Sequence, residues 1–318
     1  MSAEDKQFMQ KIVHSVFYTV SLLPYKCLYG ISYFFYLIIY YIVGYRKRLV
    51  RRNISSAFPD KDKKEIKRIE KDFYHWLCDY FVETLKLLSV SDEELLEHIE
   101  FRNVEELERY YDKGQTCAAI LGHYCNWELL SATGLAFKRH KETVCGLIYH
   151  PLRNEAFDKL FKDIRQSKGG VCVPKKDILR YLVTYRREKR MWLFGYISDQ
   201  APKWNNIHLW LPFLNHDTPV FTGGERIMRK MNDAVFYVDM ERPKRGKYIC
   251  TFRLITDKPA ELPENEITIR FFKMLEETIS RDPRFYLWSH DRWKRTHEEF
   301  DKRYYIENGR VIKKDKQY

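Results

Sequence analysis

The sequence predicts an α/β fold: a mixed central sheet flanked by helices, with an N-terminal membrane-associated helical segment. Three observations predict it. From Thr116 onward, short apolar runs alternate with amphipathic stretches, the pattern of buried strands and covering helices. Residues 61–88 instead place Ile66, Ile69, Phe73, Leu77, Phe81 and Leu85 on one helical face, opposite dense charge. Residues 28–44 form a run of 17 residues without a formal charge, the lower limit for crossing a bilayer.

Taken in order, residues 12–23 are mostly apolar and are interrupted by Pro24 and Lys26. In the uncharged run that follows, Tyr29, Tyr33, Tyr36 and Tyr40 recur at helical spacing. Arg46, Lys47, Arg48, Arg51 and Arg52 come directly after it. An apolar helix abutting basic residues is the pattern of a membrane anchor with its C-terminal flank on the cytoplasmic side. Residues 1–52 are therefore expected to anchor. Residues 53–318 are expected to form a single α/β domain with a helical lead-in at 53–110. Ser91-Asp92-Glu93-Glu94 is a capping box opening a helix within that lead-in. Strands are expected at 117–121, 144–149, 170–173, 191–197, 234–240 and 248–254. Helices are expected at 127–137, 154–167, 176–189, 224–231 and 264–280. The charged tail after Trp293 is expected to be loosely held.

The net charge is +12, which favours an anionic partner but does not choose among nucleic acid, acidic lipid and an acidic protein. The seven cysteines include no C-x-x-C pair, so the sequence implies a reducing compartment and no disulfide framework. No H-E-x-x-H, P-loop or dinucleotide fingerprint occurs; His208 and His216, eight apart beside Asp217, do not make a zinc pattern.

The chemistry concentrates at Gly122-His123-Tyr124-Cys125-Asn126-Trp127-Glu128. Five residues along one α-helix turn the side chains about 140° apart, so His123 and Glu128 can meet only if His123 precedes the helix. Gly122 permits such a turn. Glu128 would then accept from one imidazole nitrogen and leave the other as a base for a substrate hydroxyl.

This string resembles the H-x4-(D/E) motif of the lysophospholipid acyltransferase superfamily. Its Asn-Trp-Glu version is similar to that of the bacterial lipid A late acyltransferases. Tyr149 to Asn154, Arg165 with Gly169-Gly170, Ser198-Asp199-Gln200, Leu211-Pro212-Phe213 with Thr218 and Gly223, and Pro283 through Lys294 resemble the later blocks of that family in order. His150 and Asp291 stand where the family often has arginine, and Ala201 where an acid often follows. Arg51-Arg52-Asn53 with Phe58-Pro59 also fits.

The resemblance implies a membrane-associated O-acyltransferase on the cytoplasmic side of a bacterial inner membrane. The implied reaction moves a fatty acyl group from acyl carrier protein to the 3-hydroxyl of an acyl chain on a lipid A precursor. His123 is the implied general base, oriented by Glu128. Arg165, Asp199, Gln200 and Asn126 are implied in substrate binding or the oxyanion site, and Arg292 and Lys294 at a headgroup or the interface. No cofactor or metal is implied, and Cys125 is read as packing. The alternative acceptor within the superfamily is a glycerophospholipid, an aminolipid or a glycolipid. A nucleic-acid-binding or scaffold role, which the basic charge alone permits, has no use for the ordered blocks.

Overall fold

A computed structural model describes residues 3–152 and 154–314; Arg153, part of the second family-like block, lies outside the described residues. Helices α1 (Ala3–Ser21) and α2 (Tyr25–Leu37) open the chain. The apolar run continues through a π-turn, Ile38–Val43, to Gly44, whose φ of 63° closes it in the left-handed region that glycine tolerates. Helices α3 (Lys47–Ala57) and α4 (Lys63–Lys86) follow, the latter capped by the Asp62 carboxylate, which accepts from the Glu65 backbone N–H. The expected N-cap is present: the Ser91 hydroxyl accepts from the Glu94 N–H at the start of α5 (Asp92–His98).

The strands are β1 (Ile99–Arg102), β2 (Cys117–Leu121), β3 (Val144–Tyr149), β4 (Val171–Pro174) and β5 (Trp192–Ile197), followed by β6 (Leu209–Phe213), β7 (His216–Val220), β8 (Ala234–Lys244) and β9 (Lys247–Thr256). Seven of them form one mixed sheet in the order β1-β9-β8-β2-β5-β3-β4, antiparallel only between β8 and β9. Helices α6 (Val104–Asp112), α7 (Glu155–Gln166), α8 (Ile178–Arg187), α9 (Gly223–Met231) and α10 (Glu266–Arg281) surround it. The α/β expectation therefore holds. Central β2 is buried at every position, which is why it reads as an unbroken apolar run rather than an alternating one.

The structure departs from the sequence reading in several places. Within the lead-in expected to be helical, Ile99–Arg102 forms β1 and pairs with β9 in the main sheet. Residues 127–136 form a 3-10 helix. Strands β6 and β7 pair as a separate hairpin that the sequence did not announce, because Pro212 and Pro219 lie inside it and proline argues against a strand. The tail is not loose. It forms α11 (His297–Arg303) and a hairpin of β10 (Tyr304–Glu307) and β11 (Arg310–Lys313), with His297 stacked on Trp210 at 4.4 Å.

At the amino-terminal end of the central strands Asp233 is fully buried, accepting from the Thr116 hydroxyl and the Trp192 indole, with its second oxygen unpartnered among the described residues. Burial pushes its carboxyl up to about 7. The unfolded chain releases this proton above about pH 4, whereas the folded one keeps it to about pH 7, so stability falls as pH rises across that window. Asp233→Asn is expected to remove the decline. Urea unfolding should show the variant gaining on wild type from pH 4 to pH 8, by up to ~4 kcal/mol. A gap that does not change with pH would contradict this account.

Candidate active site

His123 lies two residues beyond β2 and Asp199 two beyond β5. Those strands are parallel and register Leu121 against Ile197, and the Ser198 N–H donates to the Leu121 carbonyl. The pairing therefore sets residue 123 beside residue 199 at the carboxyl end of the sheet, where α/β folds place their sites. The His123 Nδ1 lies 2.6 Å from the Asp199 Oδ1. Burial alone would raise the Asp199 carboxyl, but the charge and side-chain and backbone hydrogen bonds of His123 hold it below its usual value. An ionised Asp199 only accepts, so Nδ1 carries the proton and Nε2 presents its lone pair. The Gln200 amide nitrogen, 3.2 Å from that Nε2, donates to it. Although Asp199 is buried, the imidazole is 17% exposed, so Nε2 is open to solvent beside the Gln200 amide.

Glu128 does not make the hydrogen bond to His123 that the motif spacing suggested. Its carboxylate takes a two-pronged pair from Arg165, at 2.7 and 2.6 Å. It also accepts from the Trp127 indole at 3.2 Å and the Tyr80 hydroxyl at 3.4 Å. The physical reason is local. The Trp127 ring lies edge-on to the imidazole at 4.9 Å, and the Arg165 guanidinium on α7 draws the carboxylate into the interior. Glu128 and Arg165 thus clamp the start of the 3-10 helix to α7, and Tyr80 adds α4.

The motif turn is also built differently from expectation. The residue in the left-handed region is Cys125, with φ of 52°, and its N–H donates to the Phe285 carbonyl. Gly122 matters for space: a Cβ there would sit 2.7 Å from Leu275 of α10. Cys125 is fully buried and burial pushes its thiol up, consistent with packing rather than nucleophilic work.

Asn126 is fully buried and donates to Glu83 of α4 at 3.3 Å, so it braces the turn from behind. Glu83 also accepts from Tyr29, Tyr248 and Arg242. Arg292 is 1% exposed. This contradicts its expected place at a headgroup or interface. The side chain donates to the Pro219 carbonyl at 2.7 Å, and its Nε and Nη1 have no hydrogen-bond partner among the described residues. Burial depresses it to about 10, so it stays charged at neutral pH, and its field favours the ionised Asp199. Lys294 is exposed. His290, in the same closing block, accepts from the Ala201 N–H and is pushed by burial down to about 4, so it is neutral beside the site. Its position within a family-like block was the signal that could have marked it. Tyr80 had no such signal, being one aromatic on an amphipathic helix.

Two of the basic residues after the apolar run, with Asn53, reach this closing block. Arg46 donates to the Ser289 carbonyl, Arg52 pairs with Asp291, and the Asn53 amide donates to the carbonyls of Trp288 and His290. Asp291, unusual among the quoted positions, is therefore matched by Arg52.

The family model for bacterial lipid A biosynthesis acyltransferases matches residues 5–295. The chain belongs to this family. No curated protein matches the chain. Membership in this family makes the chain an acyltransferase. The same match runs through the motif turn, Arg165, the Asp199-Gln200 pair and the whole closing block. Among the described residues no group of histidine, cysteine and acidic side chains could hold a metal ion.

Proposed function

We propose that this lipid A acyltransferase moves a fatty acyl group from the thioester of acyl carrier protein to a hydroxyl of a lipid A precursor, the 3-hydroxyl of an acyl chain already in place. The carrying observation is the Asp199–His123–Gln200 array. It holds a proton on Nδ1 and a lone pair on Nε2, the arrangement a general base needs. The acceptor hydroxyl displaces the Gln200 amide, and Nε2 takes its proton as the oxygen attacks the thioester carbonyl. Asp199 stabilises the imidazolium, in place of the role first expected of Glu128. Collapse of the tetrahedral intermediate breaks the carbon–sulfur bond, and the leaving thiolate takes the proton back from Nε2. Glu128, Arg165 and Asn126 hold the turn that carries His123.

The proposed setting is the cytoplasmic face of a bacterial inner membrane. A net charge of +12 suits both an acidic carrier protein and an anionic lipid, and the exposed Lys294 is the proposed headgroup contact. The test is one incubation of the detergent-solubilised enzyme with acyl carrier protein thioesters and a lipid A precursor, read by mass spectrometry. A mass gain of one acyl chain on the precursor is expected. Acylation of added glycerophospholipid with none on the precursor would overturn the acceptor, and no thioester consumption would overturn the donor.

A further inference from the structure

Residues Tyr25–Val43 are 19 residues long, with mean hydropathy 1.5 and 22% of the most apolar stretch buried. By length they are about 28 Å of helix, close to the ~30 Å of a bilayer core. Length alone therefore permits a crossing. The contacts do not. Just before the run, the Lys86 ammonium donates to the Leu23 carbonyl and the Ser89 hydroxyl to the Ser21 carbonyl. Along the run, Tyr29 donates to Glu83, Ser32 to Asp79 at 2.6 Å and Tyr40 to Glu70 at 2.9 Å. Tyr36 stacks on His75 at 3.5 Å. Just after it, the Tyr74 hydroxyl donates to the Tyr45 carbonyl. The partners descend from 86 to 70 along α4 as the run ascends, so the two helices lie antiparallel, side by side, over the whole length.

The tyrosine stripe is thus a docking seam. Helix α4 cannot follow α2 into hydrocarbon, because Lys63, Lys64, Lys67 and Arg68 are exposed on its outer side and each charge at bilayer depth costs several kcal/mol. Helix α1, which a crossing would leave on the far side, packs on α7 instead: Phe17 meets Phe157 at 5.9 Å and His14 lies 3.8 Å from Asp163. What remains free is the outer face. Phe34 is 60% exposed and Ile42 78%. Val43 on the run, Phe8 and Val16 on α1 and Leu22 in the turn after it are also exposed. Arg48, exposed at the end of this face, supplies charge for anionic headgroups.

We infer that α1, α2 and the π-turn form an apolar platform that enters one leaflet only, with no segment of residues 3–43 crossing the bilayer. The partner is a lipid surface, since an aromatic face edged by basic residues matches the headgroup boundary. This inference rests on the membrane reading proposed above. It also gives the seam a consequence for the site, because Glu83 joins the platform through Tyr29 to the motif turn through Asn126.

The test adds full-length protein to preformed sealed vesicles of phosphatidylethanolamine with some phosphatidylglycerol, followed by flotation and a membrane-impermeant maleimide. Lys11→Cys and Arg48→Cys are compared in a Cys27→Ser background, with that parent as blank. One-leaflet attachment predicts equal labelling of both sites without detergent. Labelling of Lys11→Cys only after detergent would show a crossing and overturn the inference. Protein absent from the floated fraction would overturn the membrane reading itself. Phe34→Ser with Ile42→Ser, both on the exposed face, should fold normally and lower vesicle partitioning roughly tenfold or more; unchanged partitioning would remove this face as the contact.

Discussion

Replacing His123 by alanine is expected to lower acyl transfer by about 10²–10⁴-fold in kcat, measured on the folded fraction. The imidazole is partly exposed, but its loss leaves the buried Asp199 carboxylate without that partner, so a lower melting temperature accompanies the loss of the proposed base. Only Nε2 is both a lone pair and accessible: Asp199 occupies Nδ1, and the Gln200 amide is a displaceable donor. Rates near wild type, measured from carrier-protein release, would mean that another group activates the hydroxyl.

The second large effect separates two carboxylates that motif spacing does not separate. Asp199→Asn keeps the size of the side chain but no longer fixes the proton on Nδ1. By analogy with the same change in a serine-protease triad, kcat should fall by up to ~10⁴-fold. KM and thermal stability should move little. Glu128→Gln should behave differently. It leaves the Arg165 guanidinium without its counter-charge inside the protein, and breaking such a pair costs roughly 3–5 kcal/mol. Its main readout is a lower melting temperature, with residual activity following the folded fraction. Equal melting temperatures for wild type and Glu128→Gln, with activity abolished, would return the orienting role to Glu128.

Much of this molecule was legible in its residues. The alternation after Thr116 gave the α/β class, and an unbroken apolar run marked β2 because a central parallel strand is buried on both faces. The ordered blocks gave the family. The partner of His123 was not legible, since it depends on β2 lying next to β5, and strand order is not written in local periodicity. Once Leu121 is registered against Ile197, residue 199 must face residue 123. Burial of Arg292 was hidden for a similar reason: a basic residue beside tryptophans suits a surface as well as an interior, and only the packed closing block decides. The tyrosine stripe at 29, 33, 36 and 40 was visible as a helical face, but which of its members met α4 and which stayed exposed, as Tyr33 does, depended on α4.

The most direct measurement is the protonation of His123 itself, read by nitrogen-15 histidine NMR on the detergent-solubilised protein. The structure predicts a hydrogen-bonded proton on Nδ1 in wild type. It should persist in whatever fraction of Glu128→Gln stays folded and vanish in Asp199→Asn. A proton found on Nε2, or an Nδ1 signal that survives Asp199→Asn and disappears in folded Glu128→Gln, would contradict the account.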